Sequence, residues 1–231
     1  MKVIGIIGGI GPESTTDYYR RLLAAHDKRR PQEGNPAIII NSIDLKKVIR
    51  LVTENLLTDL TEYLLTEIRR LASAGAECGL LSANTPHIVF DELARRSSVP
   101  LVSIVEATCA EAKRLRIKKV GLFGTRFTMQ GQFYPKVFSR EGIRLVIPSQ
   151  EEQNYIHDKY MNELIPGIFL DQTRDRLLAI AARLQQQDGV EGLILGGTEL
   201  PLILPDSTSL GIPFLDTTQI HVNAILDCAL V

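Results

Sequence analysis

The sequence has no excess of charge of either sign: 26 lysines and arginines stand against 27 aspartates and glutamates, for a formal net charge of -1. Nucleic acid and anionic membranes both require a clustered basic surface, so neither is expected as a partner. The one basic stretch, Lys28, Arg29 and Arg30, precedes Pro31 and Gly34 and reads as a solvated helix end. Long apolar runs are also missing. None approaches the roughly 20 residues that a membrane span needs, and the first residues, MKVIGIIGG, show a strand rather than a cleavable signal pattern. Cysteine is scarce: Cys78, Cys109 and Cys228 are the only three. They have neither CxxC nor metal-ligand spacing, which argues against a disulfide framework and suits a reducing cytoplasm. The four histidines are scattered, and no metal site is expected. What is present in quantity is core material, with 45% hydrophobic and 23% charged residues, the proportions of a globular chain.

Short β-branched runs alternate with longer amphipathic segments. Strands are expected at 3–9, 37–42, 78–83 and 100–104, and again at 118–124, 144–149, 192–197 and 212–216. Helices are expected at 14–29, 56–74, 87–97 and 127–142, with a helix-rich stretch over 151–187. In the second of these, Leu60, Tyr63, Leu64, Ile68 and Leu71 fall at helical spacing. This alternation predicts an α/β fold whose sheets are mostly parallel and flanked by helices.

The two halves also match each other. GLLSANTPH (79–87) aligns with GLILGGTEL (192–200) and VPLVSIVEA (99–107) with IPFLDTTQI (212–220), both at an offset of 113 residues. VIGIIGG (3–9) aligns with KVGLFGT (119–125) at 116. Three matches in order imply an internal duplication into two similar lobes. Residues 1–105 with 212–231 are expected to form one lobe and 106–211 the other, with the working site in a cleft between them. Ligands of parallel sheets bind beyond the carboxyl ends of strands, where loops and helix N-termini expose backbone N–H groups. Four such segments stand out. They are Gly8 to Thr15, Ala83 to His87, Gly124 to Thr128, and Gly196 to Glu199.

GGIGPEST is not a dinucleotide fingerprint. Gly9 and Gly11 have the first spacing, but Ser14 stands where a third glycine belongs, and the GK[ST] ending of a P-loop is missing. An ordinary strand-to-helix turn, with Pro12 early and Ser14 as N-cap, also explains it. Likewise Thr85 and Pro86 fit a capped helix start, Glu199 a dipole partner, Arg126 a surface arginine at a helix start, and His87 a packed or capping histidine.

Taken together, GGIGPEST, ANTPH, GTRFTM and GTELP resemble, in order and spacing, the cofactor-independent aspartate/glutamate racemase family, in its aspartate racemase branch, over essentially the whole chain. The resemblance implies two α/β lobes with the site between them, a homodimer, and no cofactor. It also implies proton abstraction and return at the α-carbon of aspartate, glutamate or a related small acidic amino acid. Substrate carboxylates would be gripped by Asn84, Thr85, Thr128 and Thr198, by backbone N–H groups at Gly9, Ile10 and Gly11, and by Arg126. Glu13 or Glu199 would receive the amino group.

The family works with two cysteines, one on each face of the α-carbon, as thiolate base and thiol acid. The matching positions here are Ala83 and Gly197, which cannot move a proton. Cys78 lies five residues upstream, some 16 Å away at strand rise. Three explanations stay open. A neighbouring group (Thr85, Thr198, Glu199, His87 or, less suitably, Ser82) takes the role; the protein is a non-racemising carboxylate-binding or one-base relative; or a cysteine was engineered away.

Overall fold

The computed structural model describes residues 1–204 and 210–231. The chain divides into two units, Met1–Ile104 with His221–Val231 and Val105–Ile220. In chain order the first contains β1 (Ile4–Gly8), α1 (Pro12–Arg29), β2 (Ile38–Ser42), α2 (Leu45–Thr53), α3 (Leu57–Ser73), β3 (Cys78–Leu81), a 3-10 turn at Thr85–Val89, and α4 (Phe90–Arg96). Then come α5 (Ile104–Arg114), β4 (Lys119–Gly124), α6 (Arg126–Gln130), α7 (Phe133–Arg140), β5 (Arg144–Val146) and α8 (Gln150–Lys159). A π-helical turn at Tyr160–Leu164 follows, with α9 (Asp171–Asp188), β6 (Leu193–Gly196), α10 (Leu200–Ile203), β7 (Phe214–Asp216) and α11 (Thr217–Leu230).

The sheet of the first unit has the order β2-β1-β3, all parallel, with a single bridge from Gly79 to Leu101 beyond β3. Every residue of β1 and β3 is buried, which is why both read as unbroken apolar runs. Ile4, Ile6 and Leu80 pack with Tyr18 and Leu22 of α1 and with Val222, Ile225 and Leu226 of α11. Each such fully buried aliphatic side chain contributes about 1.5–3 kcal/mol relative to exposure. The second unit has the order β5-β4-β6-β7, also parallel. There Phe123, Leu193 and Leu195 pack with Ile156 of α8 and with Leu177, Ile180 and Leu184 of α9.

The pairing register settles how the repeats align. Ile7 pairs with Leu81, and Phe123, its equivalent at the offset of 116, pairs with Leu195. The offset between β3 and β6 is therefore 114, one more than the match by residue identity suggested. A one-residue slip in a strand exchanges its faces. In the correct register Ala83 is the equivalent of Gly197, Asn84 of Thr198, and Thr85 of Glu199.

Several expectations need correction. The strand expected at 100–104 is reduced to the Leu101 bridge, because α5 already starts at Ile104. The helix expected over 127–142 breaks at Gly131. A Cβ there would stand 2.5 Å from the Phe127 carbonyl oxygen and 2.6 Å from the Phe133 ring. Residues 212–220 belong with the second unit rather than the first, because β7 pairs with β6.

Candidate active site

In the first unit, the turn after β1 is built on glycine. Gly9 has φ 78°, and a Cβ on it would lie 2.5 Å from the Ile43 carbonyl oxygen. The Gly9 N–H donates to Thr15 Oγ1 at 2.9 Å, and that hydroxyl donates to the Gly11 carbonyl at 2.9 Å. Gly11, at φ 126°, is the N-cap of α1, with Pro12 following. Ser14 is therefore not the cap. It sits in the first turn and donates to the Ser82 carbonyl at 2.8 Å, tying the start of α1 to the end of β3. Gly9, Ile10 and Gly11 are buried, whereas Glu13 is exposed.

Beyond β3, the Ser82 hydroxyl donates to the Ile7 carbonyl at 3.2 Å. Ala83 and Asn84 are buried, and the half-buried Thr85 opens the 3-10 turn. Asn84, not Thr85, is the N-cap, and no side chain caps the turn.

His87 is fully engaged with backbone. Its Nδ1 lies 3.0 Å from the Ala83 carbonyl oxygen, and its Nε2 accepts from the Ile104 N–H at 3.2 Å. The neutral tautomer with hydrogen on Nδ1 meets both demands. Burial, reinforced by nearby His221, lowers its pKa to about 3. His87 therefore holds the Ala83 backbone in place rather than presenting a nitrogen to a ligand. Its neighbour His221 accepts from the Tyr18 hydroxyl at 2.9 Å on Nδ1 and donates to the Val102 carbonyl at 2.9 Å from Nε2.

In the second unit, Thr125 caps α6 by accepting the Thr128 N–H at 3.3 Å, and the buried Thr128 hydroxyl lies 3.2 Å from that of Thr125. Gly124 must lack a side chain, since its Cβ would stand 2.6 Å from the Gly196 carbonyl oxygen. Arg126 is exposed at the start of α6, with its backbone N–H donating to His157 Nδ1 at 3.2 Å. Among the described residues its guanidinium makes no ion pair. A hydroxyl absent from the sequence reading is that of Thr218, fully buried at the start of α11 and without a hydrogen-bond partner among the described residues. It follows β7, the strand beside β6.

The end of β6 is more elaborate. Thr198 and Glu199 are both 2% exposed, and the Thr198 hydroxyl donates to Glu199 Oε2 at 3.0 Å. The Tyr160 hydroxyl donates to the same carboxylate oxygen in a short hydrogen bond. A Cβ built on Gly197 would overlap Tyr160 Cε2 and stand 2.8 Å from both its Cζ and its Oη. The phenol thus fills the volume that a side chain at position 197 would enter. Burial, followed by the charge of Glu199, raises the Tyr160 pKa well above the ordinary phenol range.

Tyr160 is placed by α8 and the turn that ends it. Ser149 and Glu152 close a capping box at the start of α8, and Arg183 grips Glu152 through two hydrogen bonds of 2.6 and 2.5 Å. At its other end, the Tyr160 carbonyl accepts from the Ile165 N–H, five residues on, at 3.0 Å. Such π-turns often occur at functional sites. Tyr160 escaped the sequence reading because it lies 39 residues before Glu199, inside a stretch legible only as helix-rich.

Each unit therefore gathers its own set of predicted residues at its strand ends: Gly9, Ile10, Gly11, Asn84, Thr85 and His87 in the first, and Arg126, Thr128, Gly197, Thr198 and Glu199 in the second. Among the described residues, no group of histidine, cysteine, aspartate and glutamate could hold a metal ion, and no helix is long and apolar enough to cross a membrane.

Comparison with known proteins gives a consistent result. Residues 7–225 match the model of the Asp/Glu/hydantoin racemase family. An aspartate racemase homologue from Pyrococcus horikoshii OT3 is 32% identical, with a TM-score of 0.86 and all of both chains covered. The broad specificity amino-acid racemase RacX of Bacillus subtilis (strain 168) is 24% identical over 221 residues, covering 94% of this chain and 93% of RacX. The Picrophilus torridus aspartate racemase shares the fold at 22% identity and a TM-score of 0.77, covering 99% of this chain and 94% of that one.

Proposed function

The chain belongs to the Asp/Glu/hydantoin racemase family, and from that premise we propose that it is a cofactor-independent amino-acid racemase. It removes and returns the α-proton of aspartate, glutamate or a related small acidic amino acid, bound by residues at the strand ends. The observation that carries this reading is the register of the two sheets. It makes Ala83-Asn84-Thr85 and Gly197-Thr198-Glu199 equivalent segments, each just past a fully buried parallel strand and largely buried themselves. A strand end in a parallel sheet that gathers polar side chains suits a polar ligand.

In this reading Asn84, Thr85 and the N–H groups of Gly9 to Gly11 bind one carboxylate. Arg126 and Thr128, with the Thr218 hydroxyl that has no hydrogen-bond partner among the described residues, serve the other. Arginine suits this task because its planar fork can donate twice to one carboxylate. Glu199 faces the ammonium, and His87 keeps Ala83 and its neighbours in position. Donors aimed at the carboxylate stabilise the enolate-like charge that develops when the α-proton leaves.

The test is to incubate the protein with L- and D-aspartate and L- and D-glutamate in D₂O. The α-proton is followed by NMR and the enantiomers by chiral chromatography. Exchange with inversion of at least one acid is expected. If all four acids keep both their α-proton and their configuration, the reading fails, and ligand-induced stabilisation alone would then mark a binding protein. The homodimer and the cytoplasmic setting belong to the same proposal; sedimentation analysis and cell fractionation test them.

A further inference from the structure

We propose that Tyr160, relayed to Glu199, is the group that exchanges a proton with the substrate α-carbon at the end of β6. The inference rests on the racemase reading above and adds a residue that neither motif spacing nor family membership supplies.

Three observations of the second unit carry it. First, a side chain at position 197 would collide with the Tyr160 ring, which occupies that volume; the phenol is the group that stands where a side chain from the strand end would act. Second, Tyr160 donates to Glu199 Oε2, and Thr198 donates to the same oxygen, so the phenol is connected to a carboxylate that can take its proton. Third, Tyr160 and Glu199 are 5% and 2% exposed, which excludes bulk water from their hydrogen bond and strengthens it. A tyrosine needed only for packing would be replaceable by phenylalanine and would not require a buried acid at its oxygen.

The step balances. With Glu199 ionised, the substrate Cα–H bond breaks and its proton forms a new O–H bond on Tyr160 Oη. The original phenolic proton moves along the existing hydrogen bond to Glu199 Oε2, and the electron pair stays on the substrate as a carbanion in resonance with its carboxylate. Nothing is oxidised or reduced. Reversal returns a proton to the same face. The raised phenol pKa is compatible with this order of events, because Tyr160 never has to exist as a free phenolate; its proton leaves only as another arrives.

The experiment compares wild type, Tyr160→Phe and Glu199→Gln in D₂O with the L and D forms of aspartate and glutamate. It reads kcat and KM for α-proton exchange from about pH 6 to 10, with circular dichroism and thermal unfolding as checks on folding. Phenylalanine keeps the ring that fills the space beside Gly197, and glutamine keeps the shape of Glu199, so either variant can report if the other folds poorly. At least a hundredfold loss of kcat and an altered pH profile are expected in both variants, with KM within about threefold in Tyr160→Phe and raised in Glu199→Gln, which loses the carboxylate that also faces the ammonium. If wild type exchanges and the folded Tyr160→Phe variant stays within threefold of its kcat, Tyr160 is only a packing residue and the inference falls, while the racemase reading stands. If wild type exchanges none of the four acids, both fall.

Discussion

Acidification should unfold the first unit through its two buried histidines. His87 and His221 are fully buried, and their ring nitrogens are committed to Ala83, Ile104, Tyr18 and Val102. Burial is the leading cause that lowers both, to about 3 for His87 and about 4 for His221, from 6.5. Because the folded pKa values lie below the unfolded one, the unfolded chain binds more protons over the interval between them. Stability is therefore complete above 6.5 and lost as pH falls toward the folded values. At about pH 4.5 the unfolded state gains roughly 3 kcal/mol from each histidine, or about 5 kcal/mol together. Whole domains are stable by only about 5–15 kcal/mol. Urea unfolding followed by circular dichroism across about pH 7 to 4.5 should show stability falling by up to roughly 3 kcal/mol per pH unit below 6.5. In the variant His221→Gln, which keeps an acceptor for the Tyr18 hydroxyl, the slope should fall by about half. Carboxylate titration is common to both proteins and cancels in the difference. Equal slopes in the two proteins would refute the reasoning.

Two further outcomes follow from the second unit. Gly197→Ala should destabilise by at least the roughly 1–3 kcal/mol of an overpacked core, lowering the melting temperature, and the loss should shrink in a Tyr160→Leu background, as a double-mutant cycle would measure. Arg126→Ala should raise KM for acidic amino acids about tenfold or more with little change in melting temperature, because the exposed guanidinium makes no ion pair among the described residues; an unchanged KM would remove it from the site.

The inner strands were legible because they are short, apolar and buried on both faces, as Ile4–Gly8 and Leu193–Gly196 illustrate. Breaks were less legible. Gly131 divides a helix through contacts with Phe127 and Phe133 that only the folded chain creates. The repeat was visible as residue identities, yet β3 and β6 align one residue further along, since pairing with β1 and β4 sets register and identities between apolar residues do not. Position 197 was identified by its place before Thr198 and Glu199, and it read as an empty site because glycine has no side chain. The volume is in fact taken by Tyr160, brought in by the end of α8. Motif reading follows neighbours along the chain, whereas this contact exists only across the fold.

The two strand ends, equivalent in register, differ in what they offer a substrate, and that difference predicts unequal handling of enantiomers. The β6 end carries a phenol joined to a carboxylate. The β3 end carries the Ala83 methyl, with Asn84 and Thr85 following and His87 locked to backbone. Under the proposed relay, an enantiomer whose α-proton meets Tyr160 would lose it through Glu199, whereas its mirror image would have to use a hydroxyl or water with no such relay behind it. Proton transfer through a positioned side chain typically contributes about 10²–10⁴-fold. The initial rate of α-proton washout into D₂O should therefore differ between L and D forms of the preferred acid by at least about tenfold. Net racemisation from either direction still has to obey the equilibrium constant of unity for enantiomers, so the asymmetry belongs in the exchange rates and not in the final composition. Equal washout from both enantiomers would mean that a second group of matching strength serves the mirror-image substrate. That result would overturn the assignment of a single relay while leaving racemisation itself intact.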